Sequence, residues 1–143
     1  MADFRRLAPN YAVARQLSAA DVAEAARQGF ATIVANRPDG EAPGQPRMDE
    51  IEAAANAAGL SFVRIPISGP PPPDAVQATV EVIASGKGPV LAYCRSGTRS
   101  TTLWAAATAK AGSLPVADIL RAAEAAGYDL SSHAGTLERL SRG

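Results

Sequence analysis

The stretch Pro89-Val90-Leu91-Ala92-Tyr93-Cys94-Arg95-Ser96-Gly97-Thr98-Arg99-Ser100 joins an apolar run to a small, polar and basic segment. The first half reads as a buried strand ending at Cys94. The second half reads as a short loop with a glycine and two arginines, after which a helix begins near Ser100. A cysteine placed there faces backbone N–H groups at a helix N-terminus, with guanidinium groups close by. Both features stabilise a thiolate and bind an anion. A lone cysteine is ordinarily a small buried hydrophobe. Here the residues after it are polar, small or basic, which a core position would not choose. Cys94 is therefore the candidate nucleophile.

Working outward, the chain alternates strand and helix signals. Residues 11–16 read as a first short strand. Ser18 suits the N-cap of a helix running to about Gln28, stopped by Gly29. Residues 31–35 are apolar and β-branched, a buried strand, and residues 36–41 (Asn36-Arg37-Pro38-Asp39-Gly40-Glu41) are turn chemistry. Met48, Ile51, Ala55 and Ala58 recur at helical spacing, and Gly59 ends that helix. A strand over 61–67 follows, with Pro66 expected at its end because proline cannot donate to a ladder.

Gly69 and the prolines Pro70 to Pro73 make a stiff loop. Asp74 is placed to cap a helix with Val76, Val80 and Ile83 on its inner face. After the Cys94 strand and loop come a helix from Ser100 to about Ala111, another carrying Val116, Ile119, Leu120 and Ala123 and stopped by Gly127, and a terminal helix around 136–140. The order is βαβαβαβαα. It predicts an α/β fold with a mostly parallel central sheet of four to five strands and helices on both faces. Ligands bind such sheets at the carboxyl ends of strands. The loops at 36–41, 68–73 and 94–99 all follow strands, so they are expected to converge on one edge.

Bulk properties narrow the function classes. At 143 residues the chain is read as one domain, residues 1–143, large enough for a real core. Fourteen basic and fourteen acidic residues cancel, so nucleic acid and anionic membranes are not expected partners. One cysteine excludes an internal disulfide, and one cysteine with one histidine makes a structural zinc site improbable; no metal and no cofactor are expected. The first ten residues, MADFRRLAPN, lack a signal-peptide core, and no apolar stretch approaches a membrane span. The reading is a soluble, cytoplasmic protein. Its alanine-rich, arginine-preferring composition suggests a bacterial source.

The loop Cys94-Arg95-Ser96-Gly97-Thr98-Arg99 resembles two families at once. Single-domain rhodanese-type sulfurtransferases have a cysteine opening a six-residue loop. Protein tyrosine and dual-specificity phosphatases have a cysteine, five residues, then arginine. Here four residues separate Cys94 from Arg99, and Ser100 stands sixth after the cysteine. By loop length this is similar to the sulfurtransferase version, whose smaller ring suits a persulfide sulfur. Over most of its length, however, the chain resembles the phosphatase-like domain of the beta-lactamase hydrolase-like proteins. The matching pieces are Gln16-Leu17, Asn36-Arg37-Pro38-Asp39-Gly40-Glu41, Gly59-Leu60, Ile65-Pro66-Ile67 and Cys94 through Ser100.

That resemblance implies a protein tyrosine phosphatase-like three-layer fold. In some members it implies fusion to a persulfide-oxidising domain, hence a persulfide-oxidising enzyme as a candidate partner. Two positions depart from the phosphatase pattern. Ser68 and Gly69 stand where phosphatases place an aspartate that protonates the leaving group, and Tyr93 stands where they have histidine. Asp74, beyond the prolines, is read as a helix residue rather than that acid.

The reading is accordingly a sulfurtransferase. Cys94 accepts sulfane sulfur from thiosulfate or another small anionic donor and passes it to a thiol acceptor. The alternatives are a cysteine-dependent phosphatase with a phosphocysteine intermediate and a non-catalytic thiol sensor. Arg99 is assigned the anion. Arg95 either binds substrate at the pocket mouth or faces water. Gly97 permits tight curvature, and Ser96 and Thr98 contribute N–H groups. Ser100 hydrogen-bonds the sulfur or caps the helix. Arg37 either extends the anion site or pairs with Asp39 or Glu41. His133 is read as a surface or capping residue and Trp104 as core.

Overall fold

A computed structural model describes residues 3–143. The central strands are short and wholly buried: β2 (Tyr11–Ala14), β3 (Thr32–Ala35) and β5 (Val90–Tyr93). Continuous apolar runs of this kind are what a sheet covered on both faces requires. With β4 (Ser61–Arg64) they form a parallel array. A further strand, β1 (Arg5–Ala8), pairs antiparallel with β2 and gives the order β1-β2-β5-β3-β4. The sheet is thus five-stranded and mostly parallel, as the alternating pattern predicts.

The sequence reading missed β1. Arg5 and Arg6 are exposed on it, and an edge strand with charged side chains has no apolar run to betray it. Its register slips between Arg6 and Ala8, and Arg6 lies over the Phe30 ring.

Alternate strand residues go to two cores. Ala12, Ala14, Ile33, Ala35, Leu91 and Tyr93 pack on one face against α1 (Ala19–Arg27) and α2 (Met48–Ala57). Tyr11, Val13, Val34, Val90 and Ala92 pack on the other, against α3 (Pro73–Ala84), α4 (Thr98–Ala111), α5 (Val116–Ala125) and α6 (Ala134–Ser141). Trp104 is buried in that second core, as expected.

Helix ends follow local chemistry. Ser18 and Asp21 form the capping box of α1. α3 starts at Pro73 with Pro72 as N-cap, so Asp74 is not the cap; its carboxylate accepts from the Ala75 amide within the first turn. A 3-10 turn (Ser131–His133) precedes α6, and His133 is that helix's N-cap position. β4 stops at Arg64 rather than at Ile67, because Pro66 lacks an N–H; Ile65 and Ile67 still donate to Ala35 and Asn36 carbonyls.

The order places β5 between β2 and β3. The segments leaving β2 and β3 turn to the α1–α2 face, and the one leaving β5 turns to the other face. Adjacent loops therefore diverge at the carboxyl end of β5, the position at which sheets of this kind take ligands. No described helix is long and apolar enough to cross a membrane.

Candidate active site

Cys94 follows the last residue of β5. Its N–H donates to the Ala14 carbonyl at 3.3 Å, extending the β2–β5 ladder by one rung. The chain then turns tightly. Gly97 adopts φ +96°, a left-handed conformation that side-chain-bearing residues rarely take, and serves as N-cap of α4. The helix therefore begins at Thr98, two residues before the expected start. The Thr101 amide and hydroxyl both bond the Gly97 carbonyl, at 2.9 and 2.8 Å, closing the first turn. The Gly97 N–H donates to Cys94 Sγ at 3.0 Å. The sulfur thus sits under a backbone donor at the positive end of a 14-residue helix, where the first N–H groups have no intrahelical acceptor. Cys94 itself is fully covered by its surroundings.

Arg99 reaches across this edge. Its Nη1 donates to the Ile67 carbonyl at 2.7 Å and to Glu41 Oε2 at 2.8 Å, and its Nη2 donates to Glu41 Oε1 at 2.7 Å. Of the five guanidinium N–H groups, these contacts use three. Among the described residues Nε–H and one Nη2 hydrogen make no hydrogen bond to an oxygen acceptor. Glu41, and more weakly Cys94, holds the guanidinium firmly charged. In return, hydrogen bonds from Arg99 first, and then from Arg37, hold the Glu41 carboxyl down to about 2 despite partial burial.

Arg37 takes the second of its two expected roles. Its side chain is buried, with Nε on Glu41 Oε1 at 3.0 Å and Nη1 on Gln16 Oε1 at 3.1 Å. It pairs with the same carboxylate that holds Arg99.

Asn36 ties the edge together. It is fully buried, donates from Nδ2 to the Ile65 carbonyl at 2.8 Å and accepts at Oδ1 from the Ser100 hydroxyl at 2.8 Å. Ser100 therefore neither caps α4 nor bonds the sulfur. It is a third-position helix residue fastening α4 to the end of β3. Ser96 Oγ donates to Thr98 Oγ1 at 3.1 Å and accepts from the Thr98 amide. Arg95 is exposed and makes no ion pair among the described residues. The adjacent Tyr93 phenol is pushed up to about 12 by burial, so it stays neutral.

Two of the three loops expected to converge, 36–41 and 94–99, meet through Arg99 and Glu41; the third contact is the Ile67 carbonyl, one residue before the expected loop 68–73. Glu41, read from the sequence only as a possible Arg37 partner, and Asn36, read as a turn former, are the residues that hold this edge together. The available signal was an acid in a post-strand loop facing the same edge as two arginines. The segment after β4 carries no carboxylate before Asp74, the second residue of α3. Glu41 is held ionised, Asp39 accepts from the Met48 amide at 2.8 Å, and Asp74 bonds Ala75. Among the described residues no group of three or more His, Cys, Asp or Glu side chains is placed to hold a metal ion.

The architecture is that of known proteins. A crystal structure of a Neisseria meningitidis protein described as a candidate phosphatase superposes with TM-score 0.83 at 34% identity, covering 95% of this chain and 96% of that one. Tk-PTP in its active form (TM-score 0.71, 21% identity, 97% and 96% coverage) and kinase associated phosphatase (0.78, 12%, 99% and 94%) share the fold. Among curated relatives, the beta-lactamase hydrolase-like proteins of Agrobacterium fabrum and of Xylella fastidiosa strain 9a5c are each 38% identical. The first match spans 137 residues, 95% of this chain and 32% of the relative; the second spans 115 residues, 80% and 27%. The chain thus spans about a third of the length of the curated relatives it matches. The family model for the phosphatase-like domain of the beta-lactamase hydrolase-like protein matches residues 3–111, and the chain belongs to that family.

Proposed function

We propose that this domain is a cysteine-dependent phosphatase acting on phosphate monoesters whose leaving groups need no proton. The observation that carries this is the Cys94 sulfur under the Gly97 N–H at the α4 N-terminus, with Arg99 beside it. The Cys94 thiolate attacks phosphorus, the P–O bond to the leaving group breaks, and the leaving oxygen keeps the electron pair. Water then hydrolyses the phosphocysteine to inorganic phosphate and free thiolate. Loop N–H groups and the two remaining Arg99 donors stabilise the equatorial oxygens. The family and the 34%-identical Neisseria protein support this order of readings, which reverses the one suggested by loop length alone.

Sulfane-sulfur transfer is the second reading, favoured by the four-residue spacing to Arg99 and by Ser68 and Gly69 standing where phosphatases place an aspartate. There the thiolate attacks the outer sulfur of thiosulfate, the S–S bond breaks and sulfite departs with its electron pair. The Cys94 persulfide then passes its sulfur to a thiol acceptor. That reading carries with it a small anionic donor and a persulfide-oxidising enzyme as partner. Intact-mass spectrometry after incubation with an aryl phosphate or with thiosulfate separates the two. A phosphoryl adduct that is absent in Cys94→Ser supports the phosphatase. A one-sulfur adduct with no phosphoryl adduct replaces it with sulfur transfer, and oxidation alone replaces both with a thiol sensor.

A further inference from the structure

The Ser96–Gly97 peptide is held from both sides. Its N–H donates to Cys94 Sγ at 3.0 Å, and its carbonyl accepts from the Tyr128 hydroxyl at 3.2 Å. We propose that Tyr128 is a positioning residue that locks this peptide with its N–H on the reactive sulfur. The inference rests on Cys94 being the nucleophile and adds the device that keeps its cradle formed.

Three features fix Tyr128 in place. Gly127 ends α5 with φ +97°, and its N–H returns to the Glu124 carbonyl at 2.9 Å. The Tyr128 N–H returns to the Ala123 carbonyl at 2.9 Å. This is the Schellman closure of a helix C-terminus, which defines the exit direction of the next residue. Arg5, on the edge strand β1, then donates from Nη1 to the Ala126 carbonyl at 3.0 Å and places its guanidinium 5.6 Å from the Tyr128 ring centre. The ring is clamped between β1 and the loop.

Gly97 is fitted to the tyrosine as well as to its own φ. A Cβ on Gly97 would lie 2.1 Å from the Tyr128 hydroxyl oxygen and 3.0 Å from Cζ. The hydroxyl therefore occupies the space that any other residue would take. Burial raises the phenol above its ordinary range, with the Arg5 charge opposing and Cys94 adding to the rise, so it remains a donor at neutral pH. A peptide plane turns through opposite changes in the ψ before it and the φ after it, and N–H and C=O then exchange sides. Turning it would aim the Ser96 carbonyl at the sulfur, remove the Gly97 donor and break the Tyr128 bond together. The tyrosine biases that equilibrium toward the donor-in state. It also lies outside the residues matched by the family model, 3–111.

The test is Tyr128→Phe, which deletes the hydroxyl and keeps the ring and its stack with Arg5. Cys94 is the chain's one thiol and is covered in the resting fold, so iodoacetamide alkylation is followed across pH: the rate at pH 7 relative to the high-pH plateau reads its ionisation, and the plateau reads its uncovering, whatever reaction it performs. That relative rate is expected to fall about three- to tenfold, the worth of one net hydrogen bond, with the melting temperature within a few degrees of the parent. Turnover falls at least as much, through kcat more than KM. A relative rate within 1.5-fold of the parent overturns the positioning role. So does an equal loss of alkylation and of melting temperature that Tyr128→Leu merely enlarges. Failure of the functional reading shows differently, as turnover that survives Cys94→Ser.

Discussion

Glu41 grips Arg99 with both carboxylate oxygens, at 2.7 and 2.8 Å, although the two lie 58 residues apart in the chain. The same carboxylate holds the buried Arg37. One acid thus balances two arginines and fixes the orientation of one of them. An arginine held in a planar two-pronged pair loses less freedom on binding than one sampling solvent.

Glu41→Gln keeps the shape and removes the charge. It leaves Arg37 buried with no counter-ion and lets Arg99 swing. Stability is expected to drop by about 2 kcal/mol, between the worth of an exposed pair and the cost of breaking a buried one. Activity should fall at least tenfold in kcat/KM. Urea denaturation and steady-state kinetics on the same variant check both. Unchanged kcat/KM would remove Glu41 from the site.

The pH dependence of stability follows from the same carboxyl. Its folded value of about 2 lies below its ordinary 4.5. A depressed acid contributes stability that is complete above the unfolded value and is lost as pH falls through the folded one. The parent should therefore lose stability relative to Glu41→Gln between about pH 4.5 and 2. Denaturation midpoints measured across that window should converge. Parallel curves would mean the ion pairs are not coupled to folding.

Leaving-group dependence should be steep. A positioned acid is worth about 10²–10⁴-fold in rate, and Ser68 and Gly69 stand directly after Ile65-Pro66-Ile67, with no carboxylate before Asp74. Aryl phosphates should turn over clearly faster than alkyl phosphates, with kcat/KM falling as the leaving group's own pKa rises. Equal rates on phenyl and alkyl phosphates would assign the proton to another carboxyl, with Asp74 the first to mutate.

Ser100→Ala tests the fastening of α4. The Ser100 hydroxyl donates to Asn36 Oδ1, and both residues are fully buried. Removing it strands a buried acceptor, at a cost of about 1–3 kcal/mol. A urea midpoint shift equivalent to less than about 0.5 kcal/mol, at unchanged m-value, would contradict the bond.

Much of the fold was legible because its signals are local. The apolar runs at 32–35 and 90–93 and the helical spacing of Met48, Ile51 and Ala55 each lie within one element. The α/β alternation then constrains the layers and the edge where loops meet. β1 was not legible, because a strand of Arg5, Arg6, Leu7 and Ala8 exists only through pairing with β2. The start of α4 was misjudged because Gly97 acts as a left-handed N-cap, a role that glycine shares with several turns.

By itself, the sequence determined the layered α/β architecture and the placing of its single cysteine between a buried strand and a helix start. Those follow from residue periodicity and backbone sterics, which act over a few residues. Only the tertiary structure decided what surrounds that cysteine: Glu41 on Arg99, Ser100 on Asn36, and Tyr128 on the Ser96 carbonyl, pairs 58, 64 and 32 residues apart. The physical reason is that a hydrogen bond or ion pair depends on positions in space. Those positions are set by how the strands are ordered in the sheet, which no window of local sequence contains.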